Sequence, residues 1–219
     1  MKKKIDGKAL VYCDGAFNTP NGKTAHGLVR FTGRYDIVGV IDATYEGKDA
    51  GKVLDGKNNG IPIFKSIEVA VKELKEIGSM PKSLVIGLAP DGGRLPDTEK
   101  ISIKKALTLG CNVDSGLHDF LTNDDALVDL AKKHGCRIRD VRKTPDRDTL
   151  HFFSGDIESV DCLKLAVLGT DSAIGKRTTA WLIVQGLEKI SRRAEMIGTG
   201  QTAWMQGAKY SMIMDSCIN

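Results

Sequence analysis

Residues 170–178 read TDSAIGKRT and directly follow the apolar run Leu163–Leu168. Apolar residues then recur at helical spacing from Ala180 to Leu187. A strand, a glycine–lysine turn and a helix in this order are typical of a phosphate-binding loop, in which backbone N–H groups bind an anion. Lys176 adds a positive charge to such a site. A chance Gly-Lys pair at a helix start is the competing interpretation, and the flanking strand and helix argue against it.

Arg177 stands where such loops normally carry the Ser or Thr that binds Mg²⁺. An arginine cannot coordinate a cation, and its own charge can replace part of the neutralising role of the metal. We therefore assign no metal site and expect a diphosphate or polyphosphate ligand bound by Thr170, Asp171, Gly175, Lys176, Arg177, Thr178 and Thr179. Thr178 can instead reach a Mg²⁺ ion, which keeps a metal-dependent nucleotide open.

The composition of the chain limits its class. Its 219 residues are 41% hydrophobic and 27% charged, as in soluble globular proteins. No apolar stretch approaches the ~18 residues of a membrane span, and no signal peptide follows the N-terminal lysines. The net charge of +4 is spread along the chain, and the five cysteines form no CxxC pair. We expect a cytoplasmic protein with reduced thiols that binds a small molecule, and neither nucleic acid nor membrane.

Strands alternating with helices predict an α/β fold, with a parallel sheet covered on both faces. The polar stretch Lys143–Asp161 separates a Rossmann-like first unit (residues 1–155) from the start of a P-loop unit (residues 156–219). The second unit is short for a doubly wound domain, so we expect a truncated product or a unit completed by another chain, as in a homo-oligomer. The predicted strands are Ala9–Cys13, Ile37–Ile41, Ser83–Gly87, Asn112–Asp114, Arg137–Val141, Leu163–Leu168, Ala194–Ile197 and Tyr210–Met214.

Two helices of the first unit have clear boundaries. Ser66 is a predicted N-cap for a helix that ends at Gly78, and Asn123 is a predicted N-cap for one that ends at Gly135. The second of these helices begins with acidic residues and ends with basic ones, which suits the helix dipole.

Six blocks of sequence together resemble one family. They are Lys23–Gly27 (KTAHG), residues 87–96 (GLAPDGGRLP), Ser115–Leu121 (SGLHDFL), Asp140–Lys143 (DVRK), the phosphate loop Gly169–Thr179, and Gly198–Thr202 (GTGQT). They are similar to a two-domain bacterial and archaeal family long catalogued as a domain of unknown function. Its characterised members are D-glutamate N-acetyltransferases that use acetyl-CoA. Ala203 departs from the glycine expected after Gln-Thr, and members normally continue beyond the end of this chain.

The resemblance implies a Rossmann-like domain followed by a P-loop domain similar to dethiobiotin synthetase. It also implies acetyl-CoA as co-substrate and D-glutamate as the amino acid. A P-loop with Arg177 at the metal position suits coenzyme A, whose phosphates need no metal for recognition. Gln201 and Thr202 follow the strand beside this loop and are further candidate contacts to the cofactor.

Candidates for the amino-acid site follow the strands of the first unit, where open α/β sheets bind ligands. His118 is a candidate base with Asp119 beside it, and Arg142, next to Lys143, can hold a carboxylate. Arg94 is a candidate for catalysis and for bidentate substrate binding. It belongs to a turn whose other candidate substrate contacts are Asp91, Gly92 and Gly93. An ordinary turn, a structural histidine and a surface basic pair are the competing interpretations.

Two other functions stay open at this point. A Mg²⁺/ATP enzyme of the dethiobiotin-synthetase kind would place Thr178 and Asp215 on the metal. A non-catalytic nucleotide-binding fragment would have no reaction at all. A nicotinamide cofactor is disfavoured because no full GxGxxG follows the first strand, although Asp42 ends the second strand, where a ribose-binding acid would lie.

Overall fold

The computed structural model describes residues 5–90, 94–149, 152–171 and 174–213. The candidate residues Asp91, Gly92, Gly93 and Asp215 lie outside these ranges.

A six-stranded parallel sheet forms the centre of the first unit, in the order β3-β2-β1-β4-β5-β6. The strands are β1 (Gly7–Tyr12), β2 (Tyr35–Ile41), β3 (Ile63–Phe64), β4 (Ser83–Ile86), β5 (Asn112–Ser115) and β6 (Ile138–Asp140). The helices between them are α1 (Lys23–Arg30), α2 (Ala50–Asp55), α3 (Ile67–Glu76), α4 (Asp97–Thr108) and α5 (Asp125–Lys133). The α/β class and the Rossmann-like first unit are therefore confirmed.

The two central strands carry the core. All four residues of β4 are buried, as are the last four of β1, because helices cover both faces of the sheet. This double burial explains why the strands appear in the sequence as nearly continuous apolar runs. The strand order reverses at β1, which pairs with β2 on one side and β4 on the other. Such a reversal leaves a crevice beyond the carboxyl ends of the strands.

The helix signals differ in accuracy. Ser66 caps α3 as predicted, since its side chain accepts a hydrogen bond from the Val69 N–H. The predicted cap at Asn123 is wrong by one residue. Asn123 closes a short 3₁₀ turn, and the Asp124 carboxylate caps α5 by accepting from the backbone N–H groups of Ala126 and Leu127. Asp and Asn are equally good caps, so the choice depends on where the 3₁₀ turn ends.

The second unit contributes α6 (Lys176–Lys189), β7 (Ile197–Gly198), α7 (Gln201–Met205) and β8 (Tyr210–Ser211) to the described residues. β7 and β8 form a parallel pair. The predicted strand Leu163–Leu168 is wrong: the structure has no strand over this described segment, and Leu163 is 93% exposed. An apolar run becomes a strand only where another strand pairs with it. The predictions Ala194–Ile197 and Tyr210–Met214 locate β7 and β8 but are too long.

Helix α7 packs against the first unit. The Arg34 guanidinium donates to the Trp204 carbonyl at 2.9 Å, and the Thr32 hydroxyl donates to the Met205 carbonyl at 3.0 Å. The Gln206 amide nitrogen donates to the carbonyl oxygens of Gly27 and Phe31, both at 2.9 Å, at the end of α1. The start of the second unit therefore lies directly beside α1, which borders the crevice.

Candidate functional site

The described end of the phosphate loop, at the start of α6, has a backbone that suits an anion site. Gly175 adopts a left-handed conformation (φ +97°) immediately before α6, and no side chain caps the first turn of this helix. A residue with a Cβ is strained there. The Lys176 ammonium folds back and donates to the Asp171 carbonyl, so its charge lies beside the loop. Thr170, Thr178 and Thr179 are exposed. Their predicted contacts to a cofactor stay predictions.

Arg177 extends away from the loop toward the first unit. A Cβ built on Gly27 of α1 would lie 3.0 Å from Arg177 Nη2, 3.4 Å from Gln206 Nε2 and 3.5 Å from Thr202 Cγ2. Arg177 Nε is buried and has no hydrogen-bond partner among the described residues, and burial lowers the pKa of the guanidinium. The proposed role of Arg177 in phosphate binding stays a prediction. Its side chain lies between α1 and α7.

A cavity of about 590 Å³ opens at the crevice beyond β4 and β5. It is lined by Pro20, Asn21, Lys23, Thr24, Ile86, Leu88, Ala89, Pro90, Gly116, Leu117, His118, Arg142 and Gln201. Lys23 and Arg142 are formal cations, and no carboxylate stands among the described lining residues. The chemistry of the walls therefore favours a small anion.

Close backbone packing gives the cavity its shape. The Ala25 N–H donates to the Gly87 carbonyl at 3.1 Å, which ties α1 to the end of β4. A Cβ at Gly87 would lie 2.6 Å from Val11 Cγ1 and 2.8 Å from the Ala25 Cβ, so only glycine allows this approach. Beside it, the Ala89 N–H donates to the Asn21 carbonyl at 2.7 Å. The first turn of α1 is thereby fixed at the mouth of the crevice.

His118 and Arg142, predicted from separate strands, meet in the cavity. Arg142 Nε donates to the Gly116 carbonyl at 2.6 Å, which ties this side chain to the end of β5. Partial burial and the neighbouring Arg142 charge lower the pKa of His118 below its usual 6.5. A lowered pKa favours the neutral imidazole, which is the form that can accept a proton.

Gln201 also reaches the cavity, from the first residue of α7. Its neighbour Thr202 is buried, and the hydroxyl oxygens of Thr202 and Thr24 lie 3.3 Å apart. Gln201 and Thr202 were both predicted as contacts to the cofactor. Gln201 lines the cavity and Thr202 contacts Thr24, and their role in cofactor binding stays a prediction.

Other candidates lie outside the cavity wall as described. Arg94 is exposed and Asp119 is half-buried, and neither lines the cavity. Lys143 donates to the Thr122 hydroxyl at 2.8 Å and does not line the cavity. Asp42 is fully buried and accepts from the backbone N–H of Phe17 at 2.9 Å, which is a structural role.

Sequence reasoning assigned no role to three polar residues of the cavity: Asn21, Lys23 and Thr24. The signal was present, because KTAHG is one of the family blocks and Asn-Gly marks a turn before a helix. Within the described ranges, no cluster of three His, Cys, Asp or Glu side chains is arranged to hold a metal ion. None of the helices described there is long and apolar enough to cross a membrane.

Comparison with known proteins identifies relatives of the chain. The model of the DUF1611 N-terminal domain, a Rossmann-like domain of unknown function, matches residues 43–144, and that of the DUF1611 P-loop domain matches residues 151–219. A D-glutamate N-acetyltransferase of a Pseudoalteromonas species is 31% identical over 144 residues, which are 65% of this chain and 42% of that protein. One from Tritonibacter scottomollicae is 29% identical over 135 residues, 62% of this chain and 39% of that protein.

A solved structure agrees with these matches. The crystal structure of a DUF1611 family protein from Anabaena variabilis superposes with a TM-score of 0.83 at 32% identity, over 95% of this chain and 57% of that one. The chain spans about two fifths of the length of the curated relatives it matches. With both domain models matched in order and the same fold in a solved member, the chain belongs to the DUF1611 family.

Proposed function

We propose that the chain belongs to an N-acetyltransferase that moves the acetyl group of acetyl-CoA to the amino group of a small acidic amino acid, D-glutamate. Two relatives that are D-glutamate N-acetyltransferases support the reaction class. The single observation that carries the proposal is the cavity, which combines two cationic side chains with a histidine and has no acidic side chain among its described lining residues.

The cavity suits a dicarboxylic amino acid in size and charge. Its volume of about 590 Å³ is that of a typical small-ligand site. Arg142 presents a fork of N–H donors that matches a carboxylate, and the Lys23 ammonium can hold the second carboxylate from the other wall. A substrate with one carboxylate would leave one of these charges unpaired.

His118 is the proposed base. Acyl transfer to an amine requires that the ammonium lose a proton before its nitrogen attacks the acetyl carbonyl. The lowered pKa of His118 keeps the imidazole neutral and able to take this proton. The Gln201 side chain can donate its amide N–H to the carbonyl oxygen as negative charge develops. The C–N bond would form as the C–S bond breaks, and the second proton that the nitrogen loses would pass to the departing sulfur, so that coenzyme A leaves as its thiol.

The phosphate loop is the proposed site for the diphosphate of coenzyme A. Acetyl-CoA would supply the activated acetyl group. Gly175 and the uncapped first turn of α6 present backbone N–H groups, and Lys176 adds a cation beside them. The residue after this lysine is an arginine, so we expect binding to be indifferent to Mg²⁺.

Calorimetric titration of the chain tests this function directly. D-glutamate should bind, and coenzyme A should bind equally well with and without Mg²⁺. Arg142→Gln and Lys23→Gln each remove a charged hydrogen bond, worth about 1.5–3 kcal/mol, and should weaken D-glutamate binding by about 10–150-fold. Lys72→Gln, an exposed lysine on α3, is the matched control and should leave affinity unchanged.

The reaction has its own assay, the release of free thiol from acetyl-CoA in the presence of D-glutamate. His118→Gln should lower this rate by about 10²–10⁴-fold while D-glutamate still binds. Metal-dependent ATP binding with turnover would overturn the proposal in favour of a nucleotide-dependent ligase or kinase. Failure of both D-glutamate and coenzyme A to bind would favour a non-catalytic fragment.

A further inference from the structure

Arg177 belongs to the phosphate loop by sequence and to the first unit by contact. Its backbone lies in the first turn of α6, next to Lys176, whereas its guanidinium lies against Gly27 of α1. Its side chain extends from the loop to α1, the helix whose Lys23 and Thr24 line the cavity. This double placement is independent of the identity of either ligand.

The contact is part of a larger junction, which we call the seam and define as Gly27, Phe31, Arg177, Trp181, Thr202 and Gln206. Trp181, one helical turn after Arg177, packs on Phe31 with ring centroids 4.9 Å apart, and its indole N–H donates to the Gln206 side chain at 3.1 Å. Gln206 in turn donates to the last carbonyls of α1. Both α6 and α7 therefore contact the same short helix.

The seam lies next to the cavity. Thr202 and the Arg177 guanidinium both lie beside Gly27, and the Thr202 hydroxyl lies 3.3 Å from that of Thr24. Thr24 lines the cavity, as does Gln201, the neighbour of Thr202. Gly27, Thr202 and Thr24 therefore link the position of Arg177 to the cavity wall.

The buried guanidinium of Arg177 gives the seam a preference for a bound anion. Its Nε is buried without a hydrogen-bond partner among the described residues, and an unsatisfied buried donor is costly. An anion between the phosphate loop and α1 would give the guanidinium a partner and would favour the seam as the structure shows it. The seam in this arrangement holds Thr24 and Gln201 in place for the ligand of the cavity, so that each ligand favours binding of the other.

We propose that Arg177 is a positioning residue that couples occupancy of the phosphate loop to the affinity of the first-unit cavity. This inference rests on the proposed function for its two ligands, an anion at the phosphate loop and D-glutamate in the cavity. It assigns Arg177 a role beyond neutralising phosphate: it transmits binding between two units of the chain.

The test measures coupling between two probes, D-glutamate and inorganic pyrophosphate, by calorimetry on the whole chain. Saturating pyrophosphate should raise D-glutamate affinity about ten-fold, and D-glutamate should raise pyrophosphate affinity by the same factor, because coupling is reciprocal. In Arg177→Met, neither probe should change the affinity of the chain for the other. Arg177→Lys keeps the charge but lacks the planar fork, and should restore no more than part of the coupling.

Gly27→Ala perturbs the seam from the other side and removes no charge. The added Cβ would meet Arg177 Nη2 at 3.0 Å, so the guanidinium must shift. Alanine favours a helix interior, so folding should be preserved. Coupling should fall while each probe alone binds as in the wild type. Gly186→Ala on α6, where a Cβ meets nothing within 4 Å, is the matched control and should keep full coupling.

Tryptophan emission gives a second readout that needs only pyrophosphate. Trp181 lies in the seam, so pyrophosphate should change its emission in the wild type and in Gly186→Ala, but not in Arg177→Met. If both probes bind without coupling, or if Gly27→Ala and Arg177→Met keep wild-type coupling, the inference is wrong. If D-glutamate does not bind, the proposed function fails and the emission change alone decides the role of Arg177.

Discussion

Asp114→Ala should be among the most destabilising single substitutions in the first unit. Asp114 is fully buried in β5, where its carboxylate accepts from Arg139 at 2.7 and 2.8 Å and from the Tyr35 hydroxyl at 2.7 Å. The substitution leaves the guanidinium and the phenol without this partner. Removing one member of a buried ion pair costs about 3–5 kcal/mol.

The structure narrows this range. The Arg139 side chain is 23% exposed and keeps its 2.9 Å ion pair with Asp6, so water and a second carboxylate compensate part of the loss. We therefore expect Asp114→Ala to lower the free energy of unfolding by about 3–4 kcal/mol, the lower half of that range. The total free energy of unfolding of a protein is about 5–15 kcal/mol. In a chain of this length the midpoint of thermal unfolding should fall by about 6–16 °C.

Urea unfolding followed by tryptophan fluorescence is the assay. The ring centroid of Trp204 lies 3.7 Å from Cζ of Arg34 and 4.5 Å from Cζ of Arg139. The emission of Trp204 therefore reports on the surroundings of the Asp114–Arg139 pair. Asp129→Ala, at an exposed ion pair on α5, is the control and should cost less than about 0.5 kcal/mol. The reasoning is refuted if Asp114→Ala costs less than about 1 kcal/mol, or if its cost simply adds to that of Arg139→Met in a double-mutant cycle.

Three further predictions concern the cavity, its backbone and acid stability. The His118 pKa, followed by NMR without substrate, should lie below 6.5. It should rise in Arg142→Gln, because the loss of the Arg142 charge removes one of the two causes that lower it. An unchanged His118 pKa in this variant would contradict the proximity of the two side chains. Gly87→Ala should destabilise the fold by about 1–3 kcal/mol through overpacking, whereas Gly186→Ala should not; equal effects in thermal melts would count against the close approach. Burial raises the Asp6 pKa, but hydrogen bonds from two arginines outweigh it and lower the pKa below 3.8; this carboxylate therefore stabilises the fold above that pH and the effect is lost as pH falls through the folded pKa. Asp6→Asn should flatten the loss of stability below pH about 4, and an acid unfolding curve identical to that of the wild type would argue against this.

Much of the sheet was predictable because parallel strands buried on both faces are continuous apolar runs. β1, β2, β4 and β6 were located from such runs. β5 was also predicted, at Asn112–Asp114, although it is not an apolar run, and β3 has only two residues and carries no pattern. The same rule failed at Leu163–Leu168. An apolar run contains no information about whether a second strand is present to pair with it, and the structure describes none beside this one.

The site was predictable in part for a related reason. Residues at the carboxyl ends of parallel strands converge, so His118 and Arg142 could be placed together from topology alone. The position of the Arg177 side chain could not be predicted, because its approach to Gly27 depends on tertiary packing between α1 and α6. Local sequence describes the backbone of a phosphate loop. It does not specify the direction of a long side chain.

The packing of α7 bears on where the functional unit of the chain ends. By sequence α7 belongs to the second unit, yet Trp204 lies between two guanidinium groups of the first unit, and Gln201 forms part of the cavity wall. A first unit cut before α7 would lose a wall residue of its cavity and the partner of Thr24. The cavity is therefore assembled from both units. Under the proposed function, this shared construction would bring the ligand of the phosphate loop and the amino acid to one site.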